Sequence, residues 1–211
     1  MSECTRRGFI KQSIVGAGVL AAGPLAASAA WAEPALPSAA KASDRIQLGR
    51  GGAMASFLAL GTGFHGGNQE SDATRLGQEK FTRIVRRAME HGLNFMDSAD
   101  SYGSHPFLKR ALEGVAREEY AVLTKIWPRK ARWGQASGGA KAEVERFLGE
   151  LGVEQLDVCL IHCCLNERWP DEYERIRDEL SALKEKGTVR AAGVSCHDFG
   201  ALKVAVEHPW V

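Results

Sequence analysis

From residue 56 onward the chain alternates between two apolar rhythms. Short runs of consecutive apolar residues are each followed by a stretch whose apolar residues recur every three or four positions. The first pattern predicts buried strands and the second predicts amphipathic helices. Ser56 to Gly61, Leu93 to Asp97, Tyr120 to Lys125, Leu156 to His162 and Thr188 to Ser195 read as strands. Between the first two, Phe81, Ile84, Val85, Ala88 and Met89 share one helix face, which Gly92 closes. Phe107, Leu108, Ala111, Leu112 and Val115 mark the next helix, and Val144, Phe147, Leu148 and Leu151 a third that ends at Gly152. Tyr173, Ile176, Leu180 and Leu183 form a fourth face, capped by Gly187, and Leu202 with Val206 a fifth. Pro209 to Val211 reads as the opening of a sixth strand.

Regular strand–helix alternation implies parallel strands joined by right-handed helical crossovers. Two architectures satisfy it. A doubly wound sheet wants a Gly-x-Gly-x-x-Gly turn that opens a helix after its first strand. Gly61, Gly63 and Gly66 match that spacing, yet Asn68 to Gly77 is polar and irregular where the helix should begin. The segment Asp44 to Ala53 reads instead as a small hairpin sealing the bottom of a barrel. The expectation is therefore an α/β fold of the (β/α)8 TIM-barrel type, with about five of the eight βα units present and its N-terminal part spanning residues 46–211.

Composition is that of an ordinary globular protein: 211 residues, 45% hydrophobic, 25% charged, with 27 Lys+Arg against 26 Asp+Glu. No long basic stripe is present, so nucleic acid is not expected as a partner. The first 32 residues differ from the rest. Arg6-Arg7-Gly8-Phe9-Ile10-Lys11 resembles a twin-arginine export signal, followed by an uncharged Ala/Gly/Val-rich stretch from Ile14 to Ala30. Ala30-Trp31-Ala32 fits the small-x-small cleavage rule. The alternative is a membrane-anchoring helix, weakened by Gly16, Gly18, Gly23 and Pro24. The favoured reading is a signal peptide at residues 1–32. It implies the twin-arginine export machinery as a partner, a periplasmic or otherwise exported location, and no stable membrane span after cleavage. Residues 33–45, with two prolines and small side chains, read as a linker.

The candidate chemistry gathers at strand ends. Asp97, Tyr102, Lys125 and His162 each stand at or just past the end of a predicted strand. A strand–helix barrel collects such groups around one mouth. A phenol beside an ammonium, a carboxylate and an imidazole can deliver a proton to a carbonyl oxygen while a nicotinamide cofactor delivers hydride to its carbon. In that arrangement Lys125 is expected to lower the pKa of Tyr102, Asp97 to hold the ammonium, and His162 to orient the carbonyl. His65 and Trp127 are expected to line the substrate mouth, Trp127 equally serving as a rim-packing aromatic.

Taken together, these segments resemble the aldo-keto reductase family. The similar stretches are Ala59 to Gly63, Gly92 to Gly103, Leu123 to Trp127, Leu156 to His162 and Gly187 to Ser195, in the family's order. The resemblance implies a catalytic tetrad of Asp97, Tyr102, Lys125 and His162, with NADPH as cofactor and a small-molecule carbonyl as substrate. It also implies cofactor contacts at Gly61, Thr62, Gly63, Asp97, Ser195 and Cys196, and no metal. Cys196 stands where the family commonly has Asn. The family fold has eight βα units, so the resemblance also leads us to expect that the chain is truncated after the fifth. Two other readings stand beside it: an inactive truncated barrel without cofactor binding, and a thiol or metal site at the barrel mouth. The second arises because Cys163 and Cys164 follow His162 while Cys196-His197 follows Ser195 on the next strand, with Cys159 inside a strand. Adjacent strands lie about 4.8 Å apart, so a disulfide or a soft-metal site is geometrically open. Unpaired thiols packed at the rim are the favoured reading.

Overall fold

The computed structural model describes residues 41–49, 52–130 and 138–211. The predicted export signal at residues 1–32, and the predicted linker as far as residue 40, lie outside the described residues. Strands β1 (Arg45–Leu48) and β2 (Ala53–Ser56) form an antiparallel hairpin with Arg45 opposite Ser56 and Leu48 opposite Ala53. Five parallel strands follow in sequential order: β3 (Ala59–Gly61), β4 (Phe95–Asp97), β5 (Ala121–Ile126), β6 (Leu156–Cys164) and β7 (Val189–Cys196). The connections carry helices α1 (Asp72–Arg75), α2 (Gln78–Glu90), α3 (His105–Ala111), α4 (Ala140–Leu151), α5 (Trp169–Glu172) and α6 (Glu174–Glu185), and α7 (Phe199–Glu207) follows β7. That is the expected series of five βα units. No described helix is long and apolar enough to cross a membrane.

Successive residues of a strand point to opposite faces, and here the two faces have different partners. Met96, Val122, Ile126, Cys159 and Ile161 pack outward, against Phe81, Val85, Leu108, Phe147 and Trp169 of the helical layer. On the other face Phe95, Ala121, Leu123, Val158 and Ala191 meet Leu48, Ala53 and Ala55 of the hairpin. These inward residues lie in the first halves of their strands, so the hairpin closes the N-terminal end of the sheet as the sequence suggests. Ser56 fastens it there: its N–H donates to Asn94 Oδ1 at 2.8 Å while its hydroxyl accepts the Asn94 N–H at 3.1 Å. The same alternation places Asp97, Lys125, His162 and Ser195 on the inner face, beyond the apolar plug and toward the strands' C-terminal ends.

Several boundaries differ from the sequence expectation. The first predicted strand is two elements, because Ser56 ends the hairpin and β3 starts at Ala59, leaving Phe57 and Leu58 as an exposed link. The polar stretch Asn68 to Gly77 contains helix α1, nucleated by a capping box in which the Ser71 hydroxyl accepts the Thr74 N–H. The predicted fourth helix is preceded by a separate turn, α5, with Pro170 in its first turn. On α7 the buried stripe is Ala201 and Ala205, while Leu202 and Val206 are exposed. Both stripes share i,i+4 spacing, so periodicity finds the helix without fixing its rotation. The buried Trp169 settles it, with its indole N–H donating to the Ala201 carbonyl at 3.2 Å. Pro209 and Trp210 form a turn rather than a sixth strand, and the Trp210 indole N–H donates to Ser181 Oγ at 2.8 Å.

Candidate functional site

Lys125 is buried on the inner face of β5, and its ammonium is held from two sides. It pairs with Asp97 Oδ1 on the neighbouring β4 and donates to the Ser98 carbonyl at 2.8 Å. A buried ammonium without such partners would be strongly disfavoured. Asp97 is fixed in turn, since its carbonyl accepts both the N–H and the hydroxyl of Thr62, at 3.0 and 2.9 Å. Thr62 is buried, and its hydroxyl also meets Ser104 Oγ at 2.8 Å. Of the expected cofactor contacts, then, Thr62 spends its side chain tying β3 to the end of β4. Gly61 sits opposite Asp97 in register.

Tyr102 stands on a 3-10 turn, Asp100–Tyr102, just past β4. Its ring lies over the Lys125 ammonium, 5.0 Å from Nζ to ring centroid. The glycines at 63 and 66 make room for it: a Cβ on either would overlap the Tyr102 ring. The Gly-rich loop is thus a seat for the phenol, and the helix after it, α1, opens only at Asp72. The seat is pinned by the Gln69 N–H donating to the Ser101 carbonyl at 2.9 Å. Gly103 allows this contact, because at φ +62° its missing side chain would collide with the Gln69 carbonyl.

His162 is buried at the inner end of β6, its ring edge-on to Tyr102 at 5.7 Å and to Trp127 at 5.4 Å between centroids. Its Nδ1 is buried and has no hydrogen-bond partner. Burial pushes the imidazole pKa down to about 3, reinforced by the charge of Lys125 and the proximity of His197 and Arg129. The ring is therefore neutral at physiological pH and can donate one hydrogen bond. His65, Tyr102, Trp127, His162, Cys163 and His197 are among the residues lining a cavity of about 610 Å³. His65 is mostly exposed and pairs with Asp72 at 2.8 Å.

The expectation that Lys125 lowers the Tyr102 pKa is corrected. Burial pushes the phenol up to about 12, with further rises from Asp97 and Cys163. The ammonium faces the ring, and its charge is largely matched by Asp97, so desolvation wins. Tyr102 is accordingly protonated across the neutral range and available as a donor.

Past His162 the strand departs from regular pairing. A register shift falls between Ile161 and Cys164, and Cys163 within it takes a left-handed conformation, φ +60°. For a residue with a Cβ this costs on the order of 1–2 kcal/mol, and both backbone groups of Cys163 are clamped. Its N–H donates to Ser195 Oγ at 3.0 Å, and its carbonyl accepts from Arg129 Nη1 at 2.9 Å. Cys164 resumes the ladder directly opposite Cys196. All four described cysteines are free thiols, as the sequence reading favours.

Sequence reasoning misses the supports behind Tyr102. Arg146 on α4 bonds Asp100 Oδ1 at 2.9 Å and Glu150 Oε1 at 2.7 Å. Glu150 bonds the buried His105, whose other ring nitrogen meets Thr124 Oγ1 at 2.7 Å. This partly buried polar network anchors the turn that presents the phenol. The spacing Arg146–Glu150 is an ordinary surface i,i+4 pair in sequence, so nothing there marks it as interior.

Residues 58–211 match the sequence profile of the aldo/keto reductase family. The chain belongs to that family. An aldo-keto reductase from Mycobacterium avium (strain 104) is 30% identical over 139 residues, 63% of this chain and 45% of that protein. A glyoxal reductase from Bacillus subtilis (strain 168) is 31% identical over 118 residues, 54% of this chain and 39% of that protein. Among solved structures, an aldo/keto reductase from Klebsiella pneumoniae in complex with NADP and acetate superposes with a TM-score of 0.54 at 26% identity, covering 72% of this chain and 50% of that one. The chain thus spans less than half the length of these two curated relatives. Its five parallel strands and their helices correspond to the barrel fold of the aldo/keto reductases.

Proposed function

We propose that this aldo/keto reductase chain carries the proton-delivery side of an NADPH-dependent carbonyl reductase, with a small aldehyde or ketone as substrate. The reading rests chiefly on one observation: Tyr102 and His162 meet edge to face at the inner end of the sheet, over an Asp97–Lys125 pair. The residues present are compatible with a nicotinamide beside them. His162 Nδ1 is a buried polar atom that no protein group satisfies, and the cavity has room for a ring and a small carbonyl. Ser195, whose oxygen accepts the Cys163 N–H, keeps its hydroxyl proton for a carboxamide oxygen. Cys196 offers little there, because its thiol already meets Cys164 across the ladder.

A reduced nicotinamide would supply hydride to the carbonyl carbon. Tyr102 then gives its phenolic proton to the oxygen as negative charge develops, and neutral His162 holds that oxygen with a hydrogen bond. Once the proton leaves, Lys125 beside the new phenolate stabilises it, which makes the ammonium worth more after transfer than before. Asp97 and the Ser98 carbonyl keep Lys125 in place throughout. Solvent reprotonates the phenolate.

The test is NADPH-dependent reduction of small aldehydes by the purified protein. Tyr102→Phe should lower turnover by about 10²-fold or more while NADPH binding, followed by fluorescence, stays nearly unchanged. Equal turnover in the variant removes Tyr102 from the chemistry. Absence of NADPH binding to the parent favours the inactive-barrel reading instead. We further propose, from Arg6, Arg7 and the apolar stretch after them, that residues 1–32 direct twin-arginine export.

A further inference from the structure

The proposed reduction leaves two groups at the cavity rim without a role, the strained Cys163 and the exposed His197, and both stand beside His162. A ring nitrogen of His162, a ring nitrogen of His197 and the Cys163 sulfur all lie within 4.8 Å of one another. We propose that these three side chains form a binding site for a zinc-class metal ion at the mouth of the sheet.

The donor set is the first argument. Two imidazoles and one thiolate are a combination that suits Zn²⁺, with water completing a tetrahedron. Tetrahedral ligands at about 2.0–2.3 Å from zinc stand about 3.3–3.6 Å apart, so the present spacing must close by at most about 1.5 Å. The exposed His197 side chain can supply that movement by a change of rotamer, while its backbone stays anchored through its N–H on the Cys164 carbonyl at 3.0 Å.

The backbone is the second argument. Cys163 would point elsewhere on a regular strand. The irregular pairing between Ile161 and Cys164 and the left-handed φ of +60° put it beside His162, and the Ser195 and Arg129 bonds hold that conformation. Bulges commonly re-aim a side chain next to a functional site. Strain clamped from both sides is hard to explain as packing, since Cys163 is only half-buried. The third argument is His162 itself, a buried ring whose Nδ1 makes no hydrogen bond within the protein and so leaves bonding capacity unused. On binding, Cys163 loses its proton to solvent and the metal–sulfur bond takes its place. Because the ion engages His162, the carbonyl-reduction reading adds a consequence: zinc should compete with the carbonyl substrate.

The experiment is zinc titration of the purified, chelator-stripped protein against a chromophoric chelator. One equivalent should bind at micromolar zinc. Losing even a residue that only orients a ligand typically weakens metal binding by 10–100-fold, so Cys163→Ala and His197→Ala should each weaken it by about 10-fold or more, and Cys196→Ser should leave it unchanged. His197 is exposed, so its replacement does not threaten the fold. No stoichiometric uptake, or equal affinity in both variants, overturns the site. The competition arm is read separately: saturating zinc that leaves kcat/KM for an aldehyde unchanged overturns the claim that the ion takes His162. If the protein reduces no carbonyl at all, that failure belongs to the reductase reading, and the titration alone decides the metal site.

Discussion

Acid should destabilise this protein through His162 well before its carboxylates titrate. Buried beside Lys125 and Arg129, the ring has its pKa pushed down to about 3 in the folded state, against about 6.5 in an unfolded chain. The sign follows from linkage. Below 6.5 the unfolded chain binds a proton that the folded state refuses, so this group's stabilising effect is complete above pH 6.5 and is lost progressively as pH falls toward 3. Each unit of that window is worth about 1.4 kcal/mol, so lowering the pH from 7.5 to 5 should cost about 2 kcal/mol through His162 alone. For a domain of this size that corresponds to a fall in melting temperature of roughly 4–8 °C. The assay is denaturant unfolding at pH 7.5 and pH 5, in chelator, for the parent and for His162→Leu. Any packing cost of leucine is constant with pH, so the difference between the two slopes reports on the ring. We expect the variant to lose about 2 kcal/mol less than the parent across that interval. Parallel losses would mean that the ring accepts a proton in the folded state, and the neutral-donor role assigned to it would fail with the pKa argument.

Gly63→Ala places a methyl group where the Tyr102 ring lies. Displacing the ring should cost about 1–3 kcal/mol in stability and depress turnover more than carbonyl KM, whereas unchanged kinetics would show that the loop yields without moving the phenol. Replacing Arg6 and Arg7 with lysine should leave an uncleaved precursor inside the cell, followed by immunoblot of cell fractions. Mature protein arriving outside the cytoplasm regardless would refute the export reading.

Much of the fold is legible because two periodicities carry it. Residues 121, 123 and 125 of β5 face inward and residues 122, 124 and 126 outward, so the strand that reads as a nearly continuous apolar run still presents Lys125 to the interior. The inner face also accommodates the hairpin, since the small residues Ala121 on β5 and Ala191 on β7 leave room for Leu48, Ala53 and Ala55. What the pattern cannot supply is rotation and termination. Leu202 and Val206 look like a core stripe until Trp169, distant in sequence, fills the space they would need. Pro209 looks like a strand opening until Trp210 finds Ser181.

The site divides along the same line. Asp97, Lys125, His162 and Ser195 are visible from sequence because each is a polar residue at an inward position near the end of a strand, and alternation alone brings them to one face. Tyr102 is visible only as a candidate, since it lies on a turn, and its placement depends on two absent side chains, at Gly63 and Gly66, and on a carboxylate network running from Asp100 through Arg146 and Glu150 to His105. Its pKa departs from the sequence expectation for a related reason. Pairing residue types suggests that a lysine beside a tyrosine favours the phenolate, but the outcome depends on what else the lysine touches and how much water the phenol has lost. Here Asp97 and the Ser98 carbonyl hold the ammonium against the face of the ring, and burial decides the balance. The left-handed turn at Cys163 lies further still from the sequence, because a single irregularity in β6 separates a thiol that packs from one that faces two imidazoles. A group whose role depends on its residue type and strand parity can be read from the chain, whereas one whose role depends on a neighbour's missing Cβ, a counter-charge or a bulge needs the fold.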